Sequence, residues 1–137
     1  MVSLSSYIIK GFEHFANEAG ISFDEQRAQY SVNIINSGTV KYYSIDYKGF
    51  IAWVESPMII NPFKILASEI AWYVEKEHRG STIGIKLLKE YEKIAKSNGC
   101  HFVDIAHLEH MQEYDMENMY SRMGYKKYET HFIKEVN

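Results

Sequence analysis

Apolar residues recur at helical spacing near the start of the chain, where Leu4, Ile8, Phe12 and Phe15 share one side and Gly20 offers a stop. Ser22, followed three residues later by Glu25, has the form of a capping box. It predicts a second helix from about residue 23 to 36, with Ala28, Val32 and Ile35 inward and Ser37-Gly38 as its break. The period then changes. "VKYYSIDY" and "GFIAWVES" are rich in aromatic and β-branched residues and read as two strands, with Lys48-Gly49 between them as in a hairpin. Both prolines of the chain fall in "PMIINPFK", which reads as a loop. Residues 66–74 form a third strand. Strict alternation puts Ile70, Trp72 and Val74 on one face and Glu69, Ala71 and Tyr73 on the other.

From Gly84 the helical period returns. Gly84, Leu87, Leu88, Tyr91, Ile94 and Ala95 form an apolar stripe, and Lys86, Lys89, Lys93 and Lys96 take the wetter side. Asn98-Gly99 ends that helix. "HFVDIAHL" predicts a further strand, and residues 113–123 a further helix, with Met116, Met119, Tyr120 and Met123 on one side and Gly124 as its stop. "YKKYETHFIKEV" closes the chain as one long strand or a short hairpin. Helices and strands in this order predict an α/β sandwich with a mixed sheet. The central strand-helix-strand unit should pair its strands in parallel.

Composition narrows the class. The chain has 137 residues, which suggests one domain, and 46% of them are apolar, enough to bury a core. The net charge is −3 and no long Lys/Arg run occurs, which argues against nucleic acid as a partner. No apolar run approaches the length of a membrane span, and no signal-like start is present. With Cys100 as the only cysteine, no internal disulfide can form, as suits a reducing cytosol. A soluble cytoplasmic protein is the expectation.

The turn at residues 79–84, Arg-Gly-Ser-Thr-Ile-Gly, joins a strand to the first turn of a helix. Helix starts carry unpaired N–H groups and a positive dipole end, and phosphate is their natural occupant. Neither a Walker loop nor a dinucleotide fingerprint is present, so an ordinary strand-to-helix turn is the competing reading.

The segment "ASEIAWYVEKEHRGSTIGIKLLKEYEKIAKSNG" resembles motif A of the GNAT superfamily of acetyl-CoA-dependent N-acetyltransferases. Val74 matches its aliphatic strand end, and Arg79 and Gly84 match the first and last positions of its Arg/Gln-x-x-Gly-x-Gly/Ala pattern. "MYSRMGY" resembles the family's C-terminal tyrosine and glycine-aromatic signature. A looser likeness points to small members encoded by bacteriophages, for which the location would be the host cytoplasm. Two positions depart from the family: Thr82 replaces the middle motif glycine, and Glu113 stands where an asparagine is common.

The resemblance implies a GNAT-like single domain over residues 1–137, with acetyl-CoA as acyl donor and no metal. Main-chain groups near Tyr73 and Val74 would hold the pantetheine arm. N–H groups of Arg79, Gly80, Ser81, Thr82, Ile83 and Gly84 would hold the pyrophosphate. Tyr120 matches the general acid toward the coenzyme thiolate, with a core aromatic as its competing reading. Glu69 is the first choice of base, ahead of Glu75 and His107, and solvent can serve instead. The acceptor would be a primary amine on a small molecule or a protein, attacking directly in a ternary complex. Acidic Glu69, Glu75, Asp104, Glu109 and Glu113 hint at a cationic acceptor, or at a solvated face. A homodimer is one assembly the resemblance allows. A non-catalytic GNAT-fold module that binds CoA or a partner protein is the alternative. His107 and His110, with His101 upstream, form a weaker metal-like spacing.

Overall fold

A computed structural model describes residues 5–106 and 116–137. Helices α1 (Ile8–Ala19) and α2 (Glu25–Asn36) lead into strands β1 (Lys41–Ile45), β2 (Gly49–Met58) and β3 (Asn61–Val74). Helix α3 (Ile83–Ser97), strand β4 (Phe102–Asp104) and helix α4 (Met116–Arg122) complete the order. The sheet order is β1-β2-β3-β4, antiparallel except for the parallel β3–β4 pair that α3 connects. This is a mixed open sheet between helices, as the alternation of periods predicts. Leu4 lies outside the described residues.

Each face of the sheet has its own core. On one, α3 and α4 lay Leu87, Leu88, Tyr91, Ala95 and Tyr120 over Ile51, Trp53 and Ala67. Burying a leucine such as Leu87 contributes roughly 1.5–3 kcal/mol. On the other, α1 covers Phe50 and Tyr73 with its cap residue Tyr7 and with Phe12 and Phe15, and α2 packs Val32 and Ile35 against Ile8. The α1 seat is close, because a Cβ at Gly11 would meet the Tyr7 ring at 3.0 Å.

Four local expectations are corrected. The cap of α2 is Asp24, whose carboxylate accepts from the N–H groups of Gln26 and Arg27 at 3.0 and 3.3 Å, so the helix starts later than a Ser22 box would set it. Residues 57–64 are not a loop: Pro57 pairs with Ile65 and Met58 with Asn61, leaving Ile59-Ile60 as the turn. The prolines sit at the projecting end of the hairpin beside a register shift, where a missing N–H costs the ladder little. In the first hairpin the positive φ of 63° falls on Tyr47, while Gly49 is needed for close approach, since a Cβ there would lie 2.6 Å from the Tyr73 carbonyl oxygen. Residues 125–137 form no strand, and residues 126–137 are exposed, so alternation by itself does not make a ladder.

A further departure bears on the site. Ala52 pairs with Ala71, but Trp53 pairs with Glu69, so Ile70 is an extra residue in β3. Such a bulge reverses side-chain parity beyond it. Glu69 therefore shares a face with Trp72 and Val74, not with Ala71 and Tyr73, and Ile70 turns outward with 54% exposure.

Candidate active site

Strand β3 pairs with β2 along its whole length but with β4 only through Leu66, Ala67 and Ser68. The ladder between the two parallel strands ends at Ser68–Asp104, a fork beyond which β3 pairs with β2 alone among the described residues. The Glu75 N–H donates to the Lys48 carbonyl at 2.8 Å, so Tyr73 and Glu75 turn their main-chain groups to β2. By alternation those of Trp72 and Val74 face the side away from β2. Of the two residues expected to line a pantetheine arm, Val74 presents its main chain to the opened edge. Its carbonyl there accepts from Arg79 Nε at 2.9 Å. Tyr73 does not.

Glu69 and Tyr120 come together on the α3–α4 side of this fork. Glu69 is half-buried and accepts a hydrogen bond from the Ala106 main chain. Burial, with the Asp104 carboxylate adding to it, pushes its carboxyl up to about 8. Tyr120 is 9% exposed, with its ring 6.0 Å from Trp72 and 6.1 Å from Tyr125. Burial, and next the Glu69 charge, raises its phenol above the ordinary value, which keeps the hydroxyl protonated. Trp72 Nε1 is buried and has no hydrogen-bond partner among the described residues. A polar ligand atom reaching the fork would supply one.

The strand-to-helix turn is held from the opposite face. Arg79 does not reach outward: its guanidinium grips both carboxylate oxygens of Glu18 on α1, with Nη2 to Oε2 at 2.6 Å, and lies 5.3 Å from the Tyr73 ring centre. This hydrogen-bonded cation holds the Glu18 carboxyl below the usual range. Tyr73 adds its hydroxyl to Glu18 at 2.9 Å. Glu75, competitor for the base, is 5% exposed on the α1 side, bound by the Tyr7 hydroxyl and by His14 Nδ1 at 2.8 and 3.0 Å. It therefore belongs to the bracing of the turn and not to an acidic cleft around Glu69. The motifs of the chain single out neither Glu18, His14 nor Tyr7. The spacing of His14 and Glu18, one turn apart on α1, is the available signal.

Gly80 has φ of 78°, and α3 begins at Ile83 with Thr82 as its cap residue. The Thr82 side chain makes no capping hydrogen bond. Ser81 Oγ instead accepts from the Ile83 N–H at 3.3 Å and donates to the His78 carbonyl. Gly84 packs inward, where a Cβ would lie 3.6 Å from Trp72 and 3.7 Å from Val74. The turn thus presents the amides of a helix start, and an opened strand edge leads away from it. An extended ligand with an anionic end fits that donor set. His107, His110, Glu109 and Glu113 lie outside the described residues. No cluster of three metal-ligating side chains occurs among the described residues, and no helix among them is long and apolar enough to cross a membrane.

Comparisons with known proteins agree with this fold. The family model described as "Acetyltransferase (GNAT) family" matches residues 13–125. No curated protein matches the chain by sequence. Among solved structures, an acetyltransferase of Trypanosoma brucei is similar over 99% of this chain and 97% of its own, at 13% identity and a TM-score of 0.74. A predicted acetyltransferase of Clostridium acetobutylicum, crystallised with acetyl-CoA, is similar over 96% and 88%, at 15% identity and a TM-score of 0.66. An aminoglycoside acetyltransferase from an uncultured soil metagenomic sample, in complex with sisomicin, is similar over 96% and 87%, at 16% identity and a TM-score of 0.67.

Proposed function

Because the chain belongs to the acetyltransferase (GNAT) family, we propose that it is an enzyme that moves an acetyl group from acetyl-CoA to a primary amine by direct attack in a ternary complex. The observation that carries this reading is the pairing of Glu69 and Tyr120 beside the opened edge of β3. A carboxyl near 8 is a far stronger base than an ordinary one, and it faces a phenol that stays protonated.

Bound acetyl-CoA supplies an activated thioester. The chain's own groups do the rest. The amides of Gly80, Ser81, Thr82 and Gly84 receive the diphosphate, while the Arg79 and Ile83 N–H groups are taken by the Lys76 carbonyl and Ser81 Oγ. The outward main-chain groups of Trp72 and Val74 align the pantetheine arm along β3. Glu69, as carboxylate, takes a proton from the attacking amine, directly or through one water. Tyr120 gives its proton to the departing sulfur as the carbon–sulfur bond breaks. Asp104 and Glu69 make the fork acidic, which favours an amine that arrives as a cation. An amine-rich small molecule, of the kind bound to the soil acetyltransferase, is the first acceptor class to examine, with protein lysines and N-termini second. A cytoplasmic location suits a reaction that draws on acetyl-CoA.

A binding module without turnover is the second reading. Thr82 supports it, because a β-branched residue stands at the cap of α3 where the family pattern has glycine. Free-thiol release from acetyl-CoA over an amine panel, beside calorimetric binding of acetyl-CoA, separates the two. Binding with thiol release that Glu69→Gln and Tyr120→Phe each suppress is the expected result. Binding with no release from any amine supports the module, and no binding sinks both.

A further inference from the structure

The parallel β3–β4 ladder stops at the pair Ser68–Asp104, and there a side chain takes over from the backbone. Asp104 Oδ1 accepts from the Glu69 main-chain N–H at 3.1 Å, and Oδ2 accepts from the Ser68 hydroxyl at 2.8 Å. Behind it, the Tyr91 hydroxyl lies 2.8 Å from both the Ala67 and the Asp104 carbonyl oxygens. Tyr91 is fully buried, so this support is rigid. A carboxylate therefore occupies a β3 donor that a continuing β4 would otherwise take, and a buried phenol bridges the two strands where the ladder ends. Here the bulge at Ile70 also begins, the feature that turns Glu69 toward Tyr120.

We propose that Asp104 is a positioning residue, capping the end of the β3–β4 ladder and fixing Glu69 beside the opened strand edge. This rests on Glu69 as the proton acceptor. Asp104 acts in two ways at once. Its hydrogen bonds define where the Glu69 backbone sits, and its negative charge disfavours a second negative charge on the Glu69 carboxyl. Among the described residues the ionisable groups in electrostatic contact with Glu69 are Asp104 from β4, Tyr91 from α3 and Tyr120 from α4, and none of these is a cation.

Asp104→Asn separates geometry from charge. The amide oxygen still receives the Glu69 N–H, its NH₂ still meets the Ser68 hydroxyl, and the charge is gone. Two readouts apply: the pH profile of kcat/KM for thiol release with the best amine of the panel, and a ¹³C-carboxyl NMR titration of Glu69. In the variant the acid limb and the Glu69 midpoint should both move to lower pH, by about half a unit or more. The KM for acetyl-CoA should stay within about twofold. An NMR midpoint that does not move overturns the inference. A limb that Glu69→Gln removes but Asp104→Asn leaves in place overturns it alone. A Glu69→Gln profile identical to wild type removes the base assignment and this inference with it. If Asp104→Asn fails to fold, wild-type protein decides. The Asp104 carboxyl resonance must then inflect at the Glu69 midpoint, and a flat response there overturns the inference.

Discussion

Glu69 and Glu75 are six residues apart, one within β3 and one just past its end, and the fold treats them in opposite ways. Glu75 faces α1, where Tyr7 and His14 hydrogen-bond its carboxylate and leave it 5% exposed. Glu69 faces the α3–α4 side, where burial, with the Asp104 carboxylate on β4 adding to it, pushes its carboxyl up to about 8. One side of the strand satisfies a charge and so holds the strand-to-helix turn in place. The other leaves a charge unfavourable, and a proton can come and go there. Burial is common to both, so burial alone does not make a reactive carboxyl. The partners that come with it decide.

The largest expected effect breaks the reactive side. Glu69→Gln should lower kcat for thiol release by about 10²-fold or more, the range for removing a general base. The acetyl-CoA dissociation constant should be little changed, as calorimetry can check. In wild type the rate should fall as pH drops below about 8, because only the carboxylate accepts a proton. Stability gives an independent sign. The folded-state value lies above the ordinary value of 4.5, so between these the folded chain holds the extra proton. The stabilisation is complete below 4.5 and is lost as pH rises through about 8. Thermal melts at pH 9 should therefore show Glu69→Gln more stable than wild type, whereas at pH 5 the two should agree closely.

The bracing side should respond in the opposite way. Glu75→Ala strands the Tyr7 hydroxyl, whose residue is wholly buried, and should cost about 2–4 kcal/mol in chemical denaturation at pH 7. Any loss of turnover should track the loss of folded protein, with kcat per folded molecule retained. A pH-dependent kcat defect in Glu75→Ala would erase the contrast with Glu69. The neighbouring brace is smaller. A double-mutant cycle of Glu18→Ala and Arg79→Ala should give a coupling energy of about 1–3 kcal/mol. That ion pair is mostly shielded, with side-chain exposures of 29% and 11%. The same variants should raise the KM for acetyl-CoA, because Arg79 also ties the turn to the Val74 carbonyl.

Much of this contrast is legible in the amino-acid order alone. The helical stripe from Gly84 to Ala95 marks α3 because its apolar positions repeat at one period, and packing obeys it. The motifs point to Glu69 and Tyr120 as a pair, yet strict alternation puts Glu69 on the wrong face. A bulge has no composition of its own, and Ile70 looks like any strand residue until its pairing is known. Glu75 reads as part of an acidic cleft for a related reason: its partners, Tyr7 and His14, lie 68 and 61 residues away, and no local pattern announces them. The terminal alternation of residues 125–137 predicts a strand, but a strand forms only when it pairs with another, and pairing is a property of the assembled sheet that local pattern does not carry.

The smallest effect concerns the floor of the reactive side. Gly84 carries the family's last motif glycine, and the usual expectation is that any side chain would keep the diphosphate away. Here its missing Cβ points back to the sheet, where it would meet Trp72 and Val74 at 3.6 and 3.7 Å, ordinary contact distances. The backbone lies within the first turn of α3, where alanine is favoured over glycine by up to about 1 kcal/mol. Gly84→Ala should therefore leave stability unchanged or raise it by about 0.5 kcal/mol, with the KM for acetyl-CoA within about twofold of wild type. The N–H that faces a ligand is the same in both residues. A KM raised about tenfold with unchanged stability would mean that the ligand approaches from the Trp72 side. The acyl donor would then pass deeper beneath α3 than the opened edge of β3 implies, and Trp72, with its buried Nε1, would become its first contact.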